Sequence, residues 1–289
     1  MKGIVLAGGM GTRLYPASLP ISKILLSVYD KPMIYYPIST LMMGGITEFL
    51  IITNPLDLDN FKKLLGDGSQ FGVKFEYIVQ EKAKGIAEAF ILAEDFVKDD
   101  DVALILGDNI FHGHRFDKQL KKAIENNNGA TVFAYTVKNP SQFGVIDFDK
   151  NGKALSIEEK PQNPKSDYAV TGLYLYDNKV VEYAKTLKPS ARGELEITDL
   201  NKIYLSKNKL TVEILGRGFT WLDTGTHDAV LQAGNYIQSM ETSKGDKIAC
   251  LEEIAIENGL IDAQIVLKNI ENYKNNDYYD YIRKVISRM

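Results

Sequence analysis

The sequence predicts an α/β fold: a Rossmann-like, mixed but mainly parallel sheet flanked by helices, with an antiparallel extension and a helical C-terminal part. Three observations predict it. Short apolar runs alternate with amphipathic stretches in the first half of the chain, strand-like runs separated by turn residues follow residue 129, and mostly helical patterns follow residue 226. Alternation of the first kind places helices on both faces of a parallel sheet.

Four apolar runs are the strand candidates of the first half: residues 4–7, 49–53, 75–79 and 102–106. Between them, Pro32 opens a stretch that runs to Met43, as a proline at the first position of a helix does. Apolar residues at helical spacing predict a second helix; they are Ile86, Phe90, Ala93 and Val97. We interpret both stretches as crossover helices that connect parallel strands.

The strand candidates of the second half are residues 130–137, 144–148, 154–159 and 169–176. Because turn residues separate these runs, we expect them to pair antiparallel. They would add a second ligand-facing wall to the parallel part of the sheet. The chain shows no internal repeat and no flexible linker, so we expect all parts to share one compact body.

The composition limits the possible partners. Lys and Arg total 34, Asp and Glu total 38, and the formal net charge is −4. This mildly acidic balance, without a long basic run, argues against nucleic acid as the main partner. Any bound anion must therefore be held by a local site.

Cys250 is the one cysteine of the sequence, which rules out a disulfide framework and a thiolate metal cluster. We expect it to be a buried, inert thiol. The first apolar run breaks at Gly8 and Gly9, too early for a signal peptide or a membrane span. We therefore expect a cytoplasmic protein without a membrane partner.

A glycine-rich segment, LAGGMGTRL at residues 6–14, directly follows the first strand candidate. Residues without a Cβ let backbone amides approach phosphate oxygens closely, and Arg13 adds a planar, permanently charged donor. A plain tight turn or a dinucleotide-binding fingerprint would show a similar spacing of glycines. The segment, however, lacks the Gly-Lys-Ser/Thr ending of a P-loop and the complete Gly-x-Gly-x-x-Gly pattern.

Further motifs follow in a fixed order. They are SKILL at 22–26, DKPM at 30–33, LGDGS at 65–69, LGDNIF at 106–111, EEKP at 158–161, AVTGLY at 169–174, ARGELEITD at 191–199 and WLDTGT at 221–226. With the glycine-rich segment, they make the chain resemble the sugar-nucleotide pyrophosphorylases, and over essentially its whole length the glucose-1-phosphate thymidylyltransferases among them. The resemblance implies transfer of a thymidylyl group from dTTP to α-D-glucose 1-phosphate with Mg²⁺, in dTDP-rhamnose or other deoxysugar biosynthesis, by a homotetramer.

The resemblance also implies which residues bind the nucleotide. Arg13, Lys23 and Asp108 match catalytic residues, the two cations neutralising charge as pyrophosphate leaves. Asp108 and Asp223 match the aspartates that hold Mg²⁺, an ion that prefers oxygen ligands. The remaining nucleotide contacts would be Leu6, Gly8, Gly9, Gly11, Thr12, Gln80 and Gly85. Judged from their local sequence alone, Asp108 fits a cap before Asn109 and Asp223 an Asx turn.

For the sugar phosphate, the resemblance assigns the phosphate to Lys160 and Arg192. The hexose would be contacted by Gly144, Glu159, Val170, Tyr174 and Trp221. A single Lys or Arg is more often a solvated surface charge, and Tyr174 and Trp221 could equally be core aromatics. Lys31 could simply be a turn residue before Pro32.

The chain then divides into a nucleotidyltransferase core over residues 1–225 and a helical region over 226–289 that packs on the core and makes subunit contacts. Within the core, residues 1–128 would bind the nucleotide and residues 129–225 the sugar. In related enzymes, the stretch around His112 and the C-terminal helices border a regulatory nucleotide site between subunits. Glu257 stands where the family pattern has a basic residue, which weakens the expectation of feedback inhibition here.

Three alternatives are weighed against this interpretation. The nearest is the same chemistry with UTP or another nucleoside triphosphate, because one methyl group discriminates by only about 1 to 3 kcal/mol. A non-catalytic sugar-nucleotide sensor is disfavoured, since both aspartates accompany Arg13 and Lys23. A nicotinamide oxidoreductase is disfavoured by the incomplete glycine fingerprint.

Overall fold

The computed structural model describes residues 1–150 and 152–289, which form thirteen strands and eleven α-helices. The strands are β1 (Lys2–Ala7), β2 (Ser27–Val28), β3 (Lys31–Pro32), β4 (Glu48–Thr53), β5 (Lys74–Val79), β6 (Val102–Leu106), β7 (Asn109–Gly113), β8 (Ala130–Thr136), β9 (Gly144–Phe148), β10 (Ala154–Glu159), β11 (Tyr168–Tyr176), β12 (Leu210–Ile214) and β13 (Phe219–Asp223). The helices are α1 (Tyr35–Met43), α2 (Leu58–Leu65), α3 (Glu88–Leu92), α4 (Glu94–Val97), α5 (Phe116–Glu125), α6 (Val180–Thr186), α7 (Ile197–Ser206), α8 (His227–Lys244), α9 (Leu251–Glu257), α10 (Ala263–Asn269) and α11 (Asp277–Ile286).

The central sheet has nine strands and joins both halves of the core. Four parallel strands form one side, in the order β5-β4-β1-β6. Strand β11 pairs antiparallel with β6 and with β8, and β12 lies parallel to β8 at the edge. The antiparallel pair β9-β10 extends the sheet next to the start of β11. The predicted fold class is confirmed.

Helices cover both faces of the sheet because successive side chains of a buried strand point to opposite sides. On β1, Val5 belongs to the core beneath α1 and α9, whereas Ile4 belongs to the core beneath α3, α6 and α7. Both side chains are fully buried. Such a strand presents an almost continuous apolar run, which is the pattern that identified it in the sequence.

All eight predicted strands are present, and their boundaries differ by at most two residues. The predicted helix start at Pro32 is wrong, because Pro32 pairs with Ser27 in the small β2-β3 hairpin and α1 begins at Tyr35. The second predicted helix is divided into α3 and α4 at Ala93. Its apolar face is still buried as expected at Phe90, Ala93 and Val97.

The C-terminal helices are attached to the core through buried charges. Lys31 is only 2% exposed, and its Nζ lies 2.9 Å from Glu241 Oε1 on α8 and 2.5 Å from Asp30 Oδ1. Lys247 also contacts Asp30 and lies 3.3 Å from Glu241 Oε2. Lys31 is therefore a buried partner of α8 and not a solvated turn residue. No helix among the described residues combines the length and hydrophobicity that a membrane span requires.

Replacing Lys31 with alanine should lower the free energy of unfolding by about 3 kcal/mol. The buried Glu241 carboxylate would lose its ion pair with Lys31 and keep only the longer ion pair with Lys247. Urea denaturation followed by circular dichroism measures the change. Lys74→Ala is the matched control, since its ion pair with Glu76 is exposed at both ends and should add nothing measurable. Equal losses in the two variants would contradict a stabilising role for the buried network.

Candidate active site

A cavity of about 700 Å³ lies beyond the C-terminal end of β6, the edge at which open parallel sheets collect ligands. Its walls come from both halves of the core. The predicted site residues that line it are Arg13, Gly144, Glu159, Lys160, Val170, Tyr174, Trp221 and Asp223. The fold thus gathers residues from four separate motifs, together with Gly144, around one space.

The glycine-rich segment leaves β1 after Ala7 and turns into a short 3₁₀ helix at Thr12–Leu14. Gly11 has a φ of 61°, and a Cβ there would lie 3.1 Å from Lys23 Cβ. A Cβ on Gly8 would lie 2.7 Å from Gln80 Oε1, whereas Gly9 faces open space. Two of the three glycines are therefore required by close packing, which holds Lys23 and Gln80 beside this segment.

Asp108 and Asp223 are brought together by the antiparallel pair β7-β13, in which Asp223 is opposite Asn109. Thr224, which is fully buried, reinforces the contact because both its backbone N–H and its hydroxyl donate to the Asp108 carbonyl oxygen, at 3.0 and 2.7 Å. No local sequence pattern indicates this ribbon, since its two strands are far apart in the chain.

The two carboxylates repel each other. The pKa of Asp223 is raised to about 6, first by desolvation and then by the negative charge of Asp108, while Lys23 and Arg13 act in the opposite direction. Asp223 is open to the cavity, but the protein around its carboxylate still displaces much of the water. The Lys23 ammonium contacts Asp108 Oδ2. A cation bound by both carboxylates would relieve the remaining repulsion.

The donor set fits a hard cation that also takes ligands from its substrate. Asp108 and Asp223 offer only carboxylate oxygens, and no group of three or more His, Cys, Asp or Glu side chains in the described parts of the chain is arranged to hold a metal. A cation held by these two carboxylates would take its remaining ligands from water or a bound ligand, as Mg²⁺ commonly does in proteins.

Gln80 lies at the end of β5, buried next to Gly8. Its Nε2 donates to Glu88 Oε2 at 2.7 Å, so that Oε1 is the atom directed toward the glycine-rich segment. A second cavity, of about 430 Å³, adjoins Gln80 and has Pro55 and Leu56 in its wall. Gln80 thus presents a fixed acceptor beside a space with an apolar side.

Gly85 connects this region to the ARGELEITD motif. Its φ is 102°, and a Cβ there would lie only 2.4 Å from Leu195 O. Leu195 N–H donates to Lys84 O at 2.6 Å, and Ala87 N–H donates to Leu195 O at 3.2 Å. Sequence reasoning assigned Gly85 and Arg192 to different substrates, and it did not detect that their loops pair with each other.

Arg192 and Lys160 converge on Glu159 at the far wall. The Arg192 side chain makes two hydrogen bonds to Glu196, with Nη2 2.7 Å from Oε2 and Nε 3.2 Å from Oε1, and these raise the pKa of Arg192. Arg192 Nη2 and Lys160 Nζ lie 3.5 and 3.9 Å from Glu159 Oε1. Both cations are nearly half exposed; Lys160 and Glu159 line the cavity, and Arg192 lies beside them without being part of that lining.

The predicted hexose residues form the remaining wall. Thr198 Oγ1 donates to Glu159 Oε2 at 2.5 Å, and a Cβ on Gly144 would lie 3.3 Å from that hydroxyl. Tyr174 is buried, and burial raises the pKa of its phenol. Trp221 is 8% exposed and packs edge-on against nearby aromatic rings. Both aromatics are buried and also line the cavity.

Two fully buried polar groups at this cavity have no hydrogen-bond partner within residues 1–150 and 152–289. They are Thr171 Oγ1 and Asn201 Nδ2. Because buried polar atoms are nearly always paired in folded proteins, unpaired ones at a cavity wall are consistent with a polar ligand.

A third cavity, of about 400 Å³, lies between β7, α5 and the C-terminal helices, where the resemblance placed a regulatory site. Glu253 and Glu257 are part of its lining, together with Asp117 and Asp246. The lysines there are Lys121 and Lys247, and Lys247 is engaged with Asp30 and Glu241. This acidic lining does not favour a nucleotide.

Residues 2–240 match the family model described as nucleotidyl transferase. A glucose-1-phosphate thymidylyltransferase of Neisseria meningitidis serogroup A is 55% identical over 288 residues, which cover 100% of each chain. One of Xanthomonas campestris is 50% identical over 99% of this chain and 97% of the relative.

A solved structure is also similar. It is a Bacillus anthracis protein, provisionally identified as a glucose-1-phosphate thymidylyltransferase and crystallised with a sucrose. It has a TM-score of 0.76 and 47% sequence identity, and the match covers 82% of this chain and 94% of that one.

Proposed function

This chain belongs to the nucleotidyl transferase family, and from that premise we propose that it transfers a thymidylyl group from dTTP to α-D-glucose 1-phosphate, giving dTDP-glucose and pyrophosphate. The observation that carries the proposal is the meeting of Arg13, Lys23, Asp108 and Asp223 at one side of a cavity. Cations placed to receive a sugar phosphate form the opposite side. Full-length identity to thymidylyltransferases supports the choice of base and sugar.

In the proposed reaction, a phosphate oxygen of glucose 1-phosphate attacks the α-phosphorus of dTTP, and the bond from that phosphorus to the pyrophosphate oxygen breaks. Such a transfer needs alignment and charge neutralisation and no covalent intermediate with the protein. The backbone of the glycine-rich segment, from Gly8 to Thr12, would hold the triphosphate. Arg13 and Lys23 would stabilise the negative charge that grows on the leaving pyrophosphate.

We propose Mg²⁺ as the cofactor, with Asp108 and Asp223 as its protein ligands. The pair supplies two carboxylates whose mutual repulsion a divalent cation relieves. When bound, Mg²⁺ would neutralise phosphate charge and make the α-phosphorus more electrophilic. Lys23, in contact with Asp108, helps to hold that carboxylate in position.

The sugar phosphate would be held at two points. Its phosphate would bind Lys160, which lines the cavity, and Arg192, which is partly exposed beside Glu159 of the cavity wall. Its hydroxyls would reach Glu159, Gly144 and neighbouring groups of Val170 and Tyr174, while the Trp221 ring lies beside the hexose. Glu159 suits this role because Thr198 fixes one of its oxygens.

Base selection would depend on the Oε1 atom of Gln80. Since Glu88 engages the amide nitrogen, Gln80 can accept a hydrogen bond from the imide N–H of thymine or uracil. The corresponding ring nitrogen of cytosine has no hydrogen and would leave Oε1 unpaired. Pro55 and Leu56 offer an apolar surface to the 5-methyl group. Leu6 and Gly85 would complete the contacts with the nucleoside.

Residues 1–225 would form the catalytic core, with nucleotide bound by about 1–128 and sugar by about 129–225. The helical region 226–289 would supply subunit contacts of a homotetramer. By analogy with the family, we place the enzyme in the cytoplasm and its product in dTDP-rhamnose or another deoxysugar pathway.

Pyrophosphate release, measured with glucose 1-phosphate, Mg²⁺ and each nucleoside triphosphate in turn, tests this proposal. We expect dTTP to give the highest kcat/KM and UTP a value lower by about 10-fold to 200-fold, since only a methyl group distinguishes them. CTP should be poorer because Gln80 would face an acceptor. A preference for CTP or GTP would refute the substrate assignment.

Replacing Asp108 or Asp223 with asparagine should lower kcat at least about a hundredfold while the protein stays folded, because each change removes a charged ligand of the Mg²⁺ that would neutralise the reacting phosphates. Steady-state kinetics and circular dichroism measure the two effects. Asp199→Asn is the matched control, since Asp199 is exposed on α7 and pairs with Lys202. Near-normal turnover in either test variant removes that residue from the metal site.

A further inference from the structure

We propose that Asn109 is a positioning residue that couples the metal and nucleotide side of the cavity to the sugar side, so that binding on one side tightens binding on the other. This inference rests on the proposed function, because it concerns how that site distributes its two substrates. Asn109 was not among the predicted site residues. Its only sequence signal was its place beside Asp108 in the LGDNIF motif.

The Asn109 amide is fixed by three hydrogen bonds. Its Oδ1 accepts from Trp221 Nε1 at 2.6 Å and from Gly172 N at 3.0 Å, and its Nδ2 donates to Asp108 Oδ1 at 3.0 Å. The Trp221 and Gly172 groups can only donate, so the orientation of the amide is settled by their chemistry. The side chain is 2% exposed. One planar group thus touches the metal ligand, the hexose wall and strand β11.

The space around this amide leaves little freedom. A Cβ on Gly172 would lie 2.5 Å from Asn109 Oδ1, so β11 approaches the amide as closely as a glycine allows. The Asp108 carboxylate is held on its other oxygen by Lys23. A change in the position of Asp108 must therefore rotate the Asn109 amide or break a hydrogen bond, and rotation displaces the Trp221 indole.

Coupling follows from that rigidity. When Mg²⁺ and a nucleotide fix Asp108, the Asn109 amide and the Trp221 ring lose alternative positions before the sugar arrives. The sugar phosphate then binds a wall that is already ordered, and the cost of ordering it falls. A purely structural Asn109 would lower stability when replaced but would leave the relation between the two binding events unchanged.

The test measures the dissociation constant of glucose 1-phosphate with and without Mg²⁺ and an α,β-methylene analogue of dTTP, which binds but cannot react. Trp221 is the only tryptophan of the chain, so its fluorescence reports on the hexose wall directly. In the wild type, we expect the nucleotide to tighten glucose 1-phosphate binding about fivefold or more. We call this ratio of the two dissociation constants the coupling factor. In Asn109→Asp, the coupling factor should fall below about twofold.

Asn109→Asp is informative because a carboxylate still accepts from Trp221 and Gly172 but cannot donate to Asp108. The added negative charge weakens sugar-phosphate binding both with and without the nucleotide. Its effect largely cancels, because the coupling factor is the ratio of two dissociation constants of the same variant. Trp221→Phe removes the hydrogen bond from the indole to Asn109 and should also abolish the coupling. Because this variant has no tryptophan, its binding is measured by calorimetry. Thr198→Val is the control: it weakens sugar binding through Glu159 and should keep the factor.

A wild-type factor near one, or a factor retained in both test variants, would overturn the inference. If Asn109→Asp does not fold, Trp221→Phe decides alone, because the Asn109 bond to Asp108 stays in place there. Failure of the wild type to bind glucose 1-phosphate at all would instead reject the proposed function, and the inference with it.

Discussion

The site depends on holding two carboxylates near each other against their electrostatic repulsion. Lys23 and Arg13 offset only part of this repulsion, and the raised pKa of Asp223 records the cost that remains. The backbone enforces this arrangement. The β7-β13 ribbon sets Asp223 opposite Asn109. Thr224, the residue after Asp223, donates hydrogen bonds to the Asp108 carbonyl oxygen. The negative potential of two neighbouring carboxylates favours the binding of a cation between them.

Continuity of the sheet explains how one body can hold two substrates. Strand β11 pairs with β6 of the parallel strands and also with the antiparallel strands, so the glycine-rich segment and the residues proposed to bind the sugar share a single scaffold. Two cross-links close the arrangement. Leu195 pairs with the loop around Gly85, and the Asn109 amide joins Asp108 to Trp221.

The strands and the glycine-rich segment could be predicted from local patterns. A strand buried on both faces is a short apolar run, and a close approach of the backbone requires glycines, so both features appear within a few residues. The roles of Arg13, Asp108 and the sugar-side residues came from the resemblance and stay predictions. The β7-β13 ribbon, the Leu195 pairing and the contacts of Asn109 could not be derived, since each joins segments that are distant in sequence. The helix start at Pro32 was wrong because a hairpin pairing outweighed the local preference of proline.

The most direct test of the central claim is a crystal structure of the protein with Mn²⁺ in place of Mg²⁺ and the α,β-methylene analogue of dTTP. Anomalous scattering would locate the cation without reference to activity. Our account predicts an anomalous peak within coordination distance of carboxylate oxygens of both Asp108 and Asp223 and of the triphosphate. It also predicts that the Arg13 guanidinium contacts the phosphates. A peak elsewhere, or a triphosphate bound away from the glycine-rich segment, would contradict it.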